Sequence, residues 1–415
     1  MRRFLSVMLT LVALPAFAQP DLSSCIEMAY DNYPQIMEYE LIDRSEAYDL
    51  SNAARSWIPQ LGLSAKASWQ SAVVEMPFDI PGFEFDIPHD QYGITADLTQ
   101  PVWDGGAGAV KRESAVAGAD VRRRQLDVNL YSIRSRVQSV YMGIILLDKQ
   151  LGLNDVLAEN LRRSIEEVSA LMEGGIALQS DLDQLKVSLL SCRQQRSSLE
   201  ADRRAYVRML GLLTGADLSG ASFAEPQVGY PSADAEISRP ELALYDAQIR
   251  QTGVQRRQLD VNWQPRLNLN LQAGYGRPGL NMLSGESDPY FIAGVKLQWN
   301  FGPLSTIRND RKKLDAEASR VELMRRSFLL NTSVEAEQKR GAVDKAAEVL
   351  ACDDEIVELR RSITETASRQ YREGVIKMND YLGILDDEFT ARLNRNLHEV
   401  QYIMAVFDLN YTLGK

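Results

Sequence analysis

Between about residues 107 and 172 the chain has no proline, and its apolar positions alternate spacings of four and three: Leu126, Leu130, Ile133, Val137, Val140, Ile144, Leu147 and Leu151. That is the seam of a coiled coil. At 1.5 Å per residue it predicts a helix on the order of 100 Å long, more than a compact domain holds. Gly174-Gly175 should end it, with Ser180 capping a returning helix whose seam runs Leu182, Leu185, Leu189, Cys192, Leu199, Tyr206, Leu210 and Leu213. A second long antiparallel hairpin follows the same plan. Leu304 to Tyr371 is proline-free and includes Val349, Cys352, Ile356, Leu359 and Ile363; Gly374 breaks it, and Leu393, Leu397, Val400, Met404, Phe407 and Tyr411 return, with Asn379 as the cap. Shorter helices are expected over about Leu22 to Trp57 and Pro240 to Trp263.

Four segments have a period of two instead, at about 60–70, 91–103, 266–275 and 290–300. Leu61, Leu63, Ala65, Ala67 and Trp69 alternate with Gly62, Ser64, Lys66, Ser68 and Gln70, and the other three alternate likewise, with every charge on the polar face. Each runs about nine to eleven residues, the length of a tilted transmembrane strand. No spare apolar segment is left to cover such a sheet, because the long helices are expected to use their seams on each other. Trp57, Trp103, Trp263 and Trp299 fall at the helix-side strand ends and Trp69 toward the far ends, near Tyr92, Tyr275 and Tyr290. Such a distribution matches two interfacial aromatic girdles. Four strands cannot close a barrel, and an open edge in lipid is costly, so the chain must oligomerise: two copies give eight strands and three give twelve.

The two halves repeat one another. Trp57-Ile58-Pro59-Gln60-Leu61 returns as Trp263-Gln264-Pro265-Arg266-Leu267, and Gly175 with Asp181-Leu182 returns as Gly374 with Asp380-Tyr381. The offset shrinks by about seven residues between Leu63 and Gln100, which marks a tolerant surface loop. The organisation expected is a signal peptide over 1–18, a first repeat over 19–220, a linker over 221–237 and a second repeat over 238–415.

Met1-Arg2-Arg3, the apolar run Phe4 to Phe17 and Ala16-Phe17-Ala18 before Gln19 read as a secretory signal. The formal charge of −11, about −13 without Arg2 and Arg3, argues against nucleic acid as a partner. Cys25, Cys192 and Cys352 form neither a disulfide framework nor a metal-ligand spacing, and the last two read as small buried hydrophobes. Leu22-Ser23-Ser24-Cys25 loosely matches a lipid-attachment signal, although Asp21 interrupts the apolar stretch before it. His89 and His398 have no evident metal or nucleophile partner, and Asp353-Asp354-Glu355 and Asp386-Asp387-Glu388 read as solvated helix surface. Gly274-Tyr275-Gly276-Arg277-Pro278-Gly279 fits a dinucleotide fingerprint by letter, but Pro278 starts no helix. Nothing here supports catalysis, a metal or a cofactor.

Leu22-Ser23-Ser24-Cys25-Ile26-Glu27-Met28-Ala29-Tyr30-Asp31-Asn32-Tyr33-Pro34, Ile58-Pro59-Gln60-Leu61 and Gln100-Pro101-Val102-Trp103-Asp104-Gly105-Gly106, set in this order, resemble the TolC family of outer-membrane efflux proteins. Trp299-Asn300-Phe301-Gly302-Pro303 departs from the family's strand-exit motif, which leaves the end of the fourth strand open. The resemblance covers the whole mature chain. It implies a mixed membrane protein: a homotrimer closing a twelve-stranded β-barrel with four transmembrane strands per chain, continued through the periplasm by an α-barrel of helical hairpins. Such a channel is the outer-membrane exit duct of a tripartite efflux or type I secretion system, fed by a periplasmic adaptor and, through it, an inner-membrane pump. By position, the tips that meet the adaptor are Glu173, Gly174, Gly175 and Ile176 with Arg372, Glu373, Gly374 and Val375. The entrance gate would use Asp181, Tyr371, Lys377 and Asp380, although an acid in a first helical turn is also favoured by the helix dipole alone. The competing class is a soluble periplasmic coiled-coil adaptor or an envelope spacer, which detergent-free solubility of the mature chain would favour.

Overall fold

The computed structural model describes residues 20–73, 88–175, 177–232, 235–281 and 285–415. The expected signal segment, most of the β1–β2 loop and Ile176 lie outside them. The elements run α1 (Leu22–Asn32), α2 (Glu38–Ala54), β1 (Gln60–Trp69), β2 (Asp90–Trp103), α3 (Ala107–Glu173), α4 (Gln179–Thr214), α5 (Pro240–Asn262), β3 (Arg266–Arg277), β4 (Asp288–Gln298), α6 (Ile307–Arg372) and α7 (Met378–Leu413). The first helix is broken rather than continuous to Trp57. Pro34 lacks an N–H and forces Tyr33 into an extended conformation (ψ 124°), so a short 3₁₀ turn separates α1 from α2. Among the described residues no helix is long and apolar enough to cross a membrane.

The chain divides into two compact units, and each draws on both repeats. One contains the residues through Glu38 with Leu126–Pro240 and Ser327–Lys415; the other contains Tyr39–Gln125 and Glu241–Arg326. In the first, helical unit Leu126, Ile133, Val137 and Ile144 of α3 and Leu185 and Leu210 of α4 are nearly inaccessible, as their spacing predicts. Val207, however, is buried where Tyr206 was expected, and on α7 the buried row runs Val400, Ile403, Val406, Leu409 and Leu413, one position off the expected Met404, Phe407 and Tyr411. The repeat also shows in how the returning helices end. Gly215 and Gly414, both at positive φ, close α4 and α7. Asn32 Nδ2 donates to the carbonyls of Leu212 (3.2 Å) and Leu213 (3.0 Å), and its counterpart Ser238 donates from its amide to Leu413 O (2.8 Å) and from its hydroxyl to Gly414 O (2.9 Å). Tyr141, buried in α3, donates to Ala224 O at 2.7 Å and pins the inter-repeat segment to the bundle.

Two sequence expectations about this unit need correction. Cys25 and Cys192 are buried, but Cys352 is exposed. It belongs to a row of α6, with Ile356, Leu359 and Ile363, that faces away from the other helices; Val343, Asp353, Thr364 and Ala367 point inward instead. Asp353 is therefore not solvated surface: its Oδ2 lies 2.5 Å from His398 Nδ1 on α7, a partner that the sequence did not reveal. Cys25 sits with no exposure inside α1, whose first turn Asp21 caps through the Ser24 amide at 2.9 Å. Burial pushes its thiol up to about 11.

The second unit holds an antiparallel sheet in the order β1-β2-β3-β4. Leu61 faces Leu98, Leu98 faces Leu271, and Leu269 faces Val295, so apolar residues share one face through every pairing. On the opposite face Ser64, Thr95, Asp97 and Gln272 form a transverse hydrogen-bonded row, with Ser64 and Thr95 hydroxyls 2.7 Å apart and Gln272 donating to Asp97 at 2.6 Å. A register shift between Pro101 and Trp103 marks a bulge. It moves Trp103 from the polar parity of β2 to the face of Leu267, its partner, and Pro101 occupies the one place where a missing N–H costs little. Tyr290 departs from its expected place: it shares the polar parity of β4, opposite Gly274, where a Cβ would lie 2.4 Å from its ring. β2 and β3 also run further than the alternation indicated, which adds the ion pair Asp90–Arg277 (3.4 Å) at the far rim on the apolar side. β4 ends at Gln298, because Asn300 accepts from the Gly302 amide (3.0 Å) and starts a 3₁₀ turn.

Four helical segments of this unit are stitched side by side by ion pairs. Arg123 of α3 holds Asp43 (2.7 Å) and Glu46 of α2; Arg250 and Arg257 of α5 hold Asp120 (2.7 Å) and Glu113 (2.8 Å) of α3. Asp260 and Asp315 continue the series to α6 through Arg311 (2.5 Å) and Arg256 (3.1 Å). Exposed pairs of this kind contribute about 0–1 kcal/mol each, so they set lateral register more than stability.

Candidate entrance at the helical hairpin turns

Both hairpin turns belong to the helical unit, and both end their long helix on a glycine. Gly175 (φ 76°) and Gly374 (φ 73°) adopt the left-handed conformation, with open space around the missing Cβ, so backbone conformation alone selects glycine there. After Arg372 the amide of Val375 reaches back to Gln370 O (2.9 Å) and that of Gly374 to Tyr371 O (3.0 Å), a Schellman-type closure. Glu173, Gly174, Arg372 and Glu373 are exposed or partly exposed at the turns, and Val375 and Leu178 present apolar surface at 66% and 67% exposure.

The helices leaving the turns are not capped as expected. The N-cap residues are Leu178 and Lys377, in extended conformation, and not Ser180 and Asn379, which already lie within α4 and α7. A leucine or lysine side chain cannot accept an amide. The compensation comes from the third helical residue: Asp181 Oδ2 accepts from the Leu178 amide and Asp380 Oδ2 from the Lys377 amide, both at 3.4 Å. The two aspartates thus hold equivalent positions in the two repeats and carry a structural duty of their own. Among the described residues the Lys377 ammonium has no carboxylate partner.

Beneath the turns the hairpins pack on a shared core of Leu161, Val168, Leu182, Leu185, Met378 and Leu385, with Tyr371 and Tyr381 against it. The two tyrosine rings stack at 5.8 Å with 17° between their planes. Burial, and then the nearby Asp181 carboxylate, hold the Tyr371 phenol above its ordinary value. Asp181 of one hairpin and Tyr371 of the other are therefore neighbours, whereas Asp380 and Lys377 remain engaged with their own turn. Arg372 reaches Glu167 of α3 at 3.9 Å as a second crossing contact. Tyr381 and Glu167 were missed by sequence reasoning; the Asp-Tyr step at 380–381 marked the repeat register, but nothing in it signals stacking on Tyr371.

Residues 25–216 match the family model described as outer membrane efflux protein. The match spans most of the first repeat. No curated protein sequence matches the chain. Among solved structures, the Campylobacter jejuni CmeC outer membrane channel is similar at 16% identity and a TM-score of 0.62, covering 95% of this chain and 85% of that one. The Vibrio cholerae outer membrane protein VceC is similar at 14% identity and 0.65, with 95% and 96% covered. The open state of the Neisseria gonorrhoeae MtrE outer membrane channel is similar at 13% identity and 0.64, with 95% and 89% covered. At such identities the likeness is one of fold, and it extends beyond residues 25–216 to the second repeat.

Proposed function

We propose that this chain is the outer-membrane exit duct of a tripartite efflux or type I secretion system, a passive channel and not an enzyme. Three copies join edge to edge into a closed twelve-stranded barrel, and the paired hairpins line a periplasmic tube. The observation that carries this reading is the uncovered apolar face of the sheet, where Leu61, Leu63, Phe291 and Val295 are each 65–75% exposed. Nothing else in the chain covers that face among the described residues, and hydrocarbon is the solvent that rewards it. The outward row of α6 supports the oligomer, since Ile356, Leu359 and Ile363 lie uncovered where a neighbouring copy would pack. Trp57, Trp69, Trp103, Trp263 and Trp299 mark the lipid interfaces. An adaptor docks on the turns around Gly174 and Gly374, and its pump supplies energy. Asp181 with Tyr371 closes the entrance between the hairpins, with Asp380 and Lys377 on the neighbouring turn.

Spin labels at Leu63, Ile94, Leu269 and Val295 in reconstituted vesicles test the barrel. Accessibility to oxygen with protection from a water-soluble relaxant is expected at all four. An aqueous signal at these sites, or a mature chain that is monomeric and soluble without detergent, would overturn the channel.

A further inference from the structure

A cavity of about 690 Å³ lies within the helical unit between α3, α6 and α7, and its walls carry more positive than negative charge. Its three carboxylates are all taken: Glu365 by Arg361 at 3.2 Å, Glu388 by Arg392 at 2.6 Å and Glu167 by Arg372 at 3.9 Å. Two guanidinium groups are left over. Among the described residues, Arg163 of α3 donates only to the neutral Asn160 side chain (2.6 Å), and Arg369 of α6 only to the Thr366 hydroxyl (3.4 Å). Both line the cavity, beside the hydroxyls of Ser164 and Ser368, in a chain whose formal charge is −11. An excess of two positive charges in a concave polar site, with serine hydroxyls on the same walls, has the chemistry of an oxyanion receptor.

We propose that this cavity binds a small multivalent oxyanion, of the phosphate or tricarboxylate class, held between Arg163 and Arg369. The ligand bridges α3 of the first hairpin to α6 of the second. It therefore ties the two hairpins together just beneath their turns, in addition to the long Arg372–Glu167 contact. The binding itself does not depend on the channel reading, because it requires only the four-helix packing of this unit.

Isothermal titration of the full mature chain in detergent tests the site, with inorganic phosphate in one arm and citrate in the other, at ionic strength held constant with chloride. Saturable binding of one anion per chain is expected, and the arm that binds identifies the oxyanion class. The double variant Arg163→Gln/Arg369→Gln should weaken it by about tenfold or more, because two charge-assisted contacts are lost. Arg163→Lys/Arg369→Lys should retain part of the affinity, and Arg196→Gln, on α4 and outside the cavity, should retain all of it. The site is overturned if neither anion gives saturable heat above the chloride blank. Equal affinity of the glutamine double variant and the wild type would overturn it too.

Discussion

The two units of this chain place the same kinds of apolar side chain in opposite situations. In the helical unit Ile144, Leu185 and Leu409 are wholly buried, while in the sheet unit Leu63 and Val295 are 74% and 65% exposed. Water would penalise the second arrangement, at about 25 cal/mol per Å² of apolar surface left uncovered. On the proposed reading the units are built for different solvents, with the helices folded against water and the sheet against lipid and neighbouring copies. The largest effect that could break this comparison is a charge on the sheet face. Leu63→Lys with Val295→Lys should cost about 2–4 kcal/mol per site near the bilayer midplane and prevent insertion. The readout is the fraction of chain recovered as membrane-embedded oligomer; undiminished recovery would mean that this face does not meet hydrocarbon.

A matching change in the helical unit sharpens the contrast. Leu409→Ala should lower stability by about 2–5 kcal/mol, because a fully buried side chain leaves a cavity behind. Thermal melts in detergent would show it, and Leu63→Ala in the same assay should show much less. The pair of substitutions separates a packed core from a surface that merely excludes water. Equal losses at both positions would show that the sheet face is packed against protein.

Within the helical unit the repeats can be compared with each other. Asn32 donates two side-chain hydrogen bonds to the end of α4, whereas Ser238 donates one from its hydroxyl and keeps one from its backbone at the end of α7. At about 0.5–1.5 kcal/mol per hydrogen bond, Asn32→Ala should cost about 1–3 kcal/mol and Ser238→Ala about half as much. Denaturant midpoints of the two variants measure the difference. A larger loss for Ser238→Ala would show that the two closures are not equivalent.

What was legible in the sequence was whatever periodicity controls within one chain. The seam of α3, most of that of α4 and the two faces of each strand follow from spacing, because only one arrangement buries Leu126 to Ile144 together or keeps Leu61 and Leu63 on one side. Spacing failed where a periodic row stays uncovered among the described residues or where one residue is inserted. The row through Cys352 and Ile356 has the period of a seam, but among the described residues no helix lies against it. Trp103 reaches the apolar face only through the bulge at Pro101, which parity counting cannot see. At the turns the glycines were readable because positive φ nearly demands them. The caps were not, because the acceptor comes from Asp181 and Asp380, three residues beyond the N-cap, and not from a hydroxyl at the expected place.

Those two aspartates carry the smallest predicted effect on stability and the sharpest test of the entrance. Their carboxylates cap α4 and α7, a role worth about 0.3–1 kcal/mol, and an amide oxygen at the same position can still accept the Leu178 and Lys377 amides. Asp181→Asn with Asp380→Asn therefore removes the charges and keeps most of the caps, whereas Asp181→Lys with Asp380→Lys removes both. If the carboxylates work on passing ions, both double variants should alter cation-dependent conductance in a planar bilayer, and the asparagine pair should do so with little change in melting temperature. If they serve only the helix ends, the asparagine pair should conduct as the wild type does and only the lysine pair should melt earlier. Tyr371→Phe provides the internal control, since it leaves both caps intact while removing the phenol that lies beside Asp181. A conductance change shared by Tyr371→Phe and the asparagine pair would place the effect at the contact between the hairpins, and not at either helix end.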